Sequence, residues 1–305
     1  MSFDTEIARD GDTLVGPLRA PAQMLAEQDL GGHTSVHDDA TADRLGLAGA
    51  PIEGPTHFSQ FDPLAVHRWG RAWFERGCIS SHFLNMVVEG EEVRARFTPT
   101  GDVEARIDAA KGDGTPVLTG TATLGPDAPT ELDERRQRGL GDAGTLHIVD
   151  RLEIGMTSAS PDVVSMEFDE HNGPLYPFSL AQKLDRITEA CTWYRDADAS
   201  PWGRPIVPTE MLSVLAHKAP GHFPVRGPAV GLFIDLEVRF VEGPVFVGQR
   251  YRIDHTIVGI GQSRRVESYW TESTVTDVDT GAHAATVLLH QGVFKASYAG
   301  YPADA

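Results

Sequence analysis

Two short polar segments carry the residues that could move protons. His37 and Asp39 lie in a polar loop, and Glu53 and Gly54 follow a Pro51-Ile52 pair. A histidine titrates near neutral pH, so His37 is a candidate general acid or base, with Asp39 as the group that would orient its ring. The alternative is a loop histidine that caps the next helix or hydrogen-bonds across the fold. The spacing alone leaves both open.

The segment after Pro51-Ile52 is predicted to begin a helix, and three of its residues are further candidates. Gly54 would let a ligand oxygen approach free backbone N–H groups, where the helix dipole favours negative charge. Glu53 at a helix N-terminus fits a cap, and alternatively it is a carboxylate that activates water. His57 follows Glu53 by four residues, so the two would share a helix face, as structural pairs often do. His33 is either a partner of His37 or a surface residue.

Periodicity predicts the elements that must position these residues. Apolar residues three or four apart predict a helix over Thr56 to Arg76, bent near Pro63. Similar spacing predicts helices over Leu180 to Tyr194 and Thr209 to Lys218. Segments rich in β-branched and aromatic residues predict strands around them; these segments are His82 to Val88, Val93 to Phe97, Val117 to Ala122, Leu232 to Phe240, Tyr251 to Ile260, Glu267 to Val275 and Ala284 to Phe294.

These elements occur twice in the same order. A Pro-Ile pair, a helix and an antiparallel sheet appear in residues 1–125 and again in residues 145–305. The segment 126–144 between them is rich in proline, glycine and charge, which is typical of a linker. We therefore predict two α+β units, each a sheet wrapped around a central helix, joined edge to edge.

The combination of these motifs resembles the MaoC-like hydratases and dehydratases of the hot-dog fold. The resemblance spans nearly the whole chain, which would be a double hot-dog protein. It rests on His37-Asp38-Asp39, Ala42, Gly46 and Pro51-Ile52, with Arg204-Pro205-Ile206-Val207-Pro208 as the second helix start. It implies a lyase acting on an acyl thioester of CoA or of a carrier protein. In that family an Asp and a His on the loop before the helix act on the substrate, and a backbone N–H at the helix start holds the carbonyl oxygen.

The chain departs from that family in two places. Gly32 stands where the family has its catalytic Asp, and Glu53-Gly54 stands where it has His-Gly. The loop Asp196 to Trp202 of the second unit contains no histidine, which favours a non-catalytic scaffold there. Two alternatives stay open: an acyl-CoA thioesterase in which Glu53 takes part in hydrolysis, and a degenerate member that binds a ligand or pairs with an active chain.

Composition limits the other classes of function. The 305 residues carry 44 acidic and 26 basic side chains, a net charge of -18 that opposes binding to nucleic acid. No apolar run is long enough to span a bilayer, and the first dozen residues do not resemble a secretory signal. Cys78 and Cys191 lack metal-ligand spacing. We therefore expect a cytoplasmic protein, a homodimer, with no metal and no cofactor.

Overall fold

The computed structural model describes residues 2–139, 143–219 and 221–302, and their strands form one eleven-stranded antiparallel sheet. The strands are β1 (Ala8–Asp10), β2 (Thr13–Arg19), β3 (Gly77–Phe83), β4 (Val93–Pro99), β5 (Glu104–Lys111), β6 (Pro116–Leu124), β7 (Thr157–Val164), β8 (Gly231–Phe240), β9 (Tyr251–Gln262), β10 (Val266–Asp277) and β11 (His283–Phe294).

The strand order shows that the sheet is a duplication. The order is β1-β2-β4-β5-β6-β3-β8-β11-β10-β9-β7. Apart from β1, each strand of the first half has a counterpart at the same distance from the central β3–β8 pair in the second half. That pair aligns Cys78 with Arg239 and His82 with Asp235. The two half-sheets therefore meet edge to edge, and two strand edges that would otherwise be exposed are paired.

Most helices lie in the two long connections from β2 to β3 and from β7 to β8, and α4 lies between β6 and β7. They are α1 (Asp39–Arg44), α2 (Asp62–Trp69), α3 (Ala72–Arg76), α4 (Glu131–Gly139), α5 (Leu180–Leu184) and α6 (Met211–Lys218), with short 3-10 helices at Gly54–Gln60, Thr192–Tyr194 and Lys295–Ser297. Most of the buried apolar side chains belong to one core cluster that these helices share with the sheet, including Phe58, Phe61, Leu64, Leu212 and Leu215. This arrangement confirms the predicted α+β double hot-dog architecture.

The first central helix is not continuous, contrary to the prediction for Thr56 to Arg76. A 3-10 helix precedes α2, and Pro63 lies in the first turn of α2, where its missing N–H costs no helical hydrogen bond. Gly70 ends α2 with a φ of 61°, a conformation that favours glycine. The helical segment is therefore broken at two points, after Gln60 and after Trp69, where apolar spacing alone predicted one bend.

Two other predicted elements are shorter in the structure. The helix predicted over Leu180 to Tyr194 is reduced to α5 and a 3-10 turn, and β3 ends at Phe83 instead of continuing to Val88. Between α5 and the turn, the buried Glu189 carboxylate accepts hydrogen bonds from Arg19 at 2.7 Å and from Thr5. These bonds fix an irregular segment to the first half, which helical periodicity could not predict.

Helix α4 lies within the predicted linker 126–144. Its buried Leu132 packs with Trp270 and Leu288, and its backbone N–H bonds to Ser80 Oγ at 3.1 Å. Helix α4 is therefore held against strands of both halves. The boundaries at 125 and 145 stay a prediction. Within the described ranges, each helix is too short or too polar to cross a bilayer.

Candidate active site

A cavity of about 410 Å³ lies between the two halves of the chain. The first half contributes the His37 loop, the Pro51–Gly54 segment and Phe83–Val87, and the second half contributes Tyr176, His217 and the start of β8, among other residues. The volume is within the range of small-molecule sites. Of the six residues predicted for the site, His33, His37, Glu53, Gly54 and His57 line this cavity, and Asp39 does not.

His37 is held in one tautomer by the backbone. Its Nδ1 donates to the Pro51 carbonyl at 2.6 Å, because a carbonyl can only accept. The other nitrogen, Nε2, has no hydrogen-bond partner among the described residues. Burial lowers the pKa of His37, although the Pro51 carbonyl opposes this effect. The neutral ring therefore presents a lone pair at Nε2, the form required of a general base.

Asp39 does not orient His37 in this structure. Its Oδ1 accepts the Ala50 N–H at 3.1 Å on the exposed side of the loop, and the Pro51 carbonyl takes the place expected for it at His37. Asp38 caps α1 by accepting the Thr41 N–H at 2.9 Å. The carboxylates that follow His37 thus organise the loop backbone, and His37 is not the cap of the helix.

Glu53 is a buried carboxyl on the cavity wall. Its Oε1 has no hydrogen-bond partner among the described residues, and Tyr176 of the second half lies close enough to affect its pKa. Burial raises the pKa of Glu53, while the nearby Lys183 ammonium and the Tyr176 hydroxyl oppose the rise. No side-chain cap bond joins Glu53 to the 3-10 helix it precedes, so the capping role considered from the sequence is not observed.

His57 and the groups beside it form a buried polar cluster behind Glu53. Burial, assisted by Lys183, lowers the pKa of His57 to about 4, and its Nδ1 lacks a hydrogen-bond partner among the described residues. Lys183 Nζ bonds to Thr56 at 3.1 Å and forms an ion pair with Glu210 at 3.3 Å. Burial raises the pKa of Glu210 to about 7. No bond joins Glu53 to His57 in the described structure, so the pair predicted from their spacing is not formed.

Gly54 lies at the first position of the 3-10 helix, where a backbone N–H has no acceptor one turn earlier. A Cβ at this position would lie 2.7 Å from Cζ of Phe83, whose ring also lines the cavity. A larger residue here would therefore require the Phe83 ring to move.

The second half supplies polar groups of its own. Nδ1 of His217, in α6, donates to the Ser213 carbonyl at 2.6 Å, and its ring stacks on Phe233 with centroids 5.9 Å apart. Burial lowers the pKa of His217. Its Nε2, like that of His37, has no partner among the described residues. The second half therefore contributes polar side chains to the cavity wall, and its role as a non-catalytic scaffold stays a prediction.

Comparison with known proteins rests on structure alone, because no family model and no curated sequence matches the chain. The "putative MaoC domain protein dehydratase" of Chloroflexus aurantiacus J-10-fl matches with a TM-score of 0.60 at 14% identity, over 94% of this chain and 95% of that chain. The chain has a MaoC-like double hot-dog fold. A conserved hypothetical protein of Mycobacterium tuberculosis, described as essential for bacterial survival during infection and as having a double hotdog fold, matches with a TM-score of 0.57 at 14% identity, over 84% of this chain and 86% of that chain.

The sequence did not identify three residues in and beside the cavity, which are His217, Tyr176 and Lys183. His217 lies seven residues after Glu210, or about two helical turns, so helical spacing could have placed the two on one face of α6. Tyr176 precedes α5, much as His37 precedes α1, but the loop considered for that role was Asp196 to Trp202. Lys183 gives no local signal, because its importance comes from burial between the halves.

His33 lies at the exposed mouth of the cavity. Its Nδ1 is 3.3 Å from both the carbonyl and the N–H of Ala229, so it contacts the second half and not His37. The neighbouring Gly32, at the position of the family's Asp, is exposed with a φ of 99°. Neither position brings a carboxylate toward His37.

Proposed function

We propose that the protein is a hydratase or dehydratase of acyl thioesters, with His37 and Glu53 as its base and acid. The supporting observation is that both groups line one cavity while burial moves their pKa values in opposite directions. A histidine with a lowered pKa is neutral and can accept a proton. A carboxyl with a raised pKa can hold one, and such divergent pairs are typical of acid–base catalysis.

The chemistry requires both partners. In dehydration, Nε2 of His37 takes the proton from the carbon next to the thioester carbonyl, a double bond forms, and the bond to the β-hydroxyl breaks. Glu53 gives its proton to the departing hydroxyl, which leaves as water. Hydration is the reverse sequence. The Gly54 N–H donates to the thioester oxygen as negative charge develops there.

Glu53 offers an explanation for the missing aspartate. The loop has only Gly32 where a carboxylate would stand, whereas Glu53 brings one to the cavity from the helix start. Lys183 and Tyr176 favour its ionised form and burial favours its protonated form. These opposed effects let Glu53 exchange a proton within one catalytic cycle.

Hydration of a series of 2-enoyl-CoA esters by the wild type and by His37→Ala tests the proposal. Loss of a general acid–base group should lower turnover about 10²-fold or more, with little change in melting temperature. His67→Ala is the matched control, because His67 is exposed on α2 and does not line the cavity. Unchanged hydration in His37→Ala would remove His37 from the mechanism.

Release of free thiol from saturated acyl-CoA esters, measured in parallel, separates the thioesterase alternative. A hydrolase would lose this activity in Glu53→Gln and keep it in His37→Ala. If neither variant changes any thioester reaction and both bind the ester as the wild type does, the cavity belongs to a binding protein.

A further inference from the structure

A second cavity, of about 570 Å³, lies on the other face of the sheet. The adjacent residues Phe233 and Ile234 of β8 line the first and second cavities respectively, as side chains that alternate between faces do. The second cavity is bordered by α4 and by the strands at the junction of the two halves. Its polar lining includes His82, Arg135, Arg136, Asp235 and His290.

Three of these residues form a row across three neighbouring strands. His82 of β3 is in register with Asp235 of β8, which is in register with His290 of β11. Nδ1 of His82 lies 2.7 Å from Oδ1 of Asp235, and Nδ1 of His290 lies 2.6 Å from Oδ2. The His290 ring also stacks on Trp270, with centroids 4.2 Å apart and planes 8° apart. Contacts on both sides thus fix this ring.

The shared carboxylate determines the protonation of both rings. Burial raises the pKa of Asp235, but the hydrogen bonds from His290 and His82 outweigh it and hold the pKa below its usual range, so the carboxylate is ionised and only accepts. Both Nδ1 atoms must therefore carry hydrogen. The Nε2 atoms have no partner among the described residues, and the two side chains are 22% and 16% exposed.

The surroundings favour a negative ligand over a metal ion. Arg136 makes no ion pair within the described part of the chain, and Arg135 is held by Glu131 at 2.8 Å and lies 3.8 Å from Asp235. Asp235 is the one carboxylate among the residues that line the cavity, against Arg135 and Arg136, so the lining has a net positive charge that protonation of the rings increases. Further charged side chains on β8 and α4 do not line the cavity; they are Glu237, Arg239, Glu131, Asp133 and Glu134.

From this arrangement we infer that the second cavity binds a tetrahedral oxyanion, free or as the phosphate group of a larger ligand, with His82, His290 and Arg136 as its donors. Each Nε2 can donate to an anion only if its ring is doubly protonated, since Nδ1–H is committed to Asp235. Anion binding is therefore accompanied by proton uptake. The site is independent of the function proposed for the first cavity.

Sulfate is the suitable first probe, because it keeps its charge throughout the titration range of histidine. Calorimetric titration of the whole protein should show an affinity for sulfate at least tenfold higher at about pH 5.5 than at about pH 8. Titrations in buffers of different ionisation enthalpy should show proton uptake on binding. Arg136→Gln should weaken binding about tenfold, the order expected for one charge-assisted contact. His290→Gln should reduce the pH dependence.

Arg94→Gln is the matched control, because the Arg94 side chain is exposed on β4 and makes no hydrogen bond or ion pair within the described structure. Equal weakening by Arg94→Gln and Arg136→Gln would indicate a general charge effect and overturn the inference. It would also be overturned by pH-independent sulfate binding, by absence of binding, or by His290-dependent binding of Zn²⁺ without sulfate binding.

Adenosine 3′,5′-bisphosphate distinguishes the phosphate group of a larger ligand from a free anion. Tighter binding than sulfate, with the same dependence on Arg136, supports a nucleotide phosphate. Equal or weaker binding supports a free anion.

Discussion

Glu53 and Asp62 are two buried carboxyls near the start of the first-half helices, and their surroundings differ. Asp62 accepts from Trp73 Nε1 at 2.8 Å, from Thr209 Oγ1 at 2.6 Å and from the Tyr194 hydroxyl at 2.8 Å. Glu53 has one oxygen without a partner in the described structure and faces the cavity. One carboxyl is enclosed by donors from both halves, and the other is open to a ligand.

This difference separates a structural role from a chemical one. An unsatisfied buried polar group costs about 1–3 kcal/mol, so a fold that needs only stability gains nothing from it. Asp62 satisfies three donors and connects the first half to Thr209 and Tyr194 of the second. We therefore expect substitutions of Glu53 to change activity and substitutions of Asp62 to change stability.

The largest expected effect is on the activity of Glu53→Gln. The amide keeps the shape of the side chain but cannot transfer a proton, so enoyl-thioester hydration should fall about 10²-fold or more. Because a general acid must carry its proton, kcat/KM of the wild type should fall at high pH, and this fall should be absent in the variant. Initial rates across the pH range check both statements, with Glu92→Gln, an exposed site, as control. A variant that keeps its turnover and its fall in kcat/KM at high pH would contradict the chemical role assigned to Glu53.

The next effect is the stability of Asp62→Ala. Removal of the carboxyl leaves three buried donors without an acceptor and should lower the free energy of unfolding by about 3 kcal/mol. Denaturant unfolding measures this loss, and Asp102→Ala, whose side chain is exposed, should change it by less than about 0.5 kcal/mol. Hydration per folded molecule should stay within about twofold of the wild type. A stable but inactive Asp62→Ala would place Asp62 in the chemistry.

The pH dependence of stability sharpens the same point. Burial, opposed by its three donors, raises the pKa of Asp62 to about 6 from 3.8, so the folded state holds more protons than the unfolded state between these values. Its contribution to stability is therefore lost as pH rises through that window. The free energy of unfolding of the wild type, relative to that of Asp62→Asn, should therefore fall by up to about 3 kcal/mol between about pH 4 and pH 7. Unfolding at several pH values measures the difference, and a flat difference would mean that the donors keep Asp62 ionised throughout.

The sequence predicted the architecture better than the site. Apolar periodicity and the repeated Pro-Ile helix start were enough for two sheets and central helices, because both patterns are local. The arrangement of the cavity groups is not local: the Pro51 carbonyl accepts a hydrogen bond from His37, and Tyr176 and Lys183 of the other half affect the pKa of Glu53. A motif shows that His37 and Asp39 are neighbours in the chain, but only the folded loop shows that Asp39 binds Ala50.

The smallest expected effect is that of Asp39→Asn, the same acid-to-amide change made outside the cavity. Asn keeps an oxygen to accept the Ala50 N–H, and Pro51 still holds the His37 ring. Turnover should therefore change less than about twofold, against about a hundredfold for Glu53→Gln, and melting temperature should be nearly unchanged because the site is exposed. Steady-state hydration and thermal unfolding check this expectation. A tenfold loss of turnover with a shifted acidic limb would show that Asp39 tunes His37 through the loop, and the carboxylate would then belong to the catalytic arrangement despite its position at the surface.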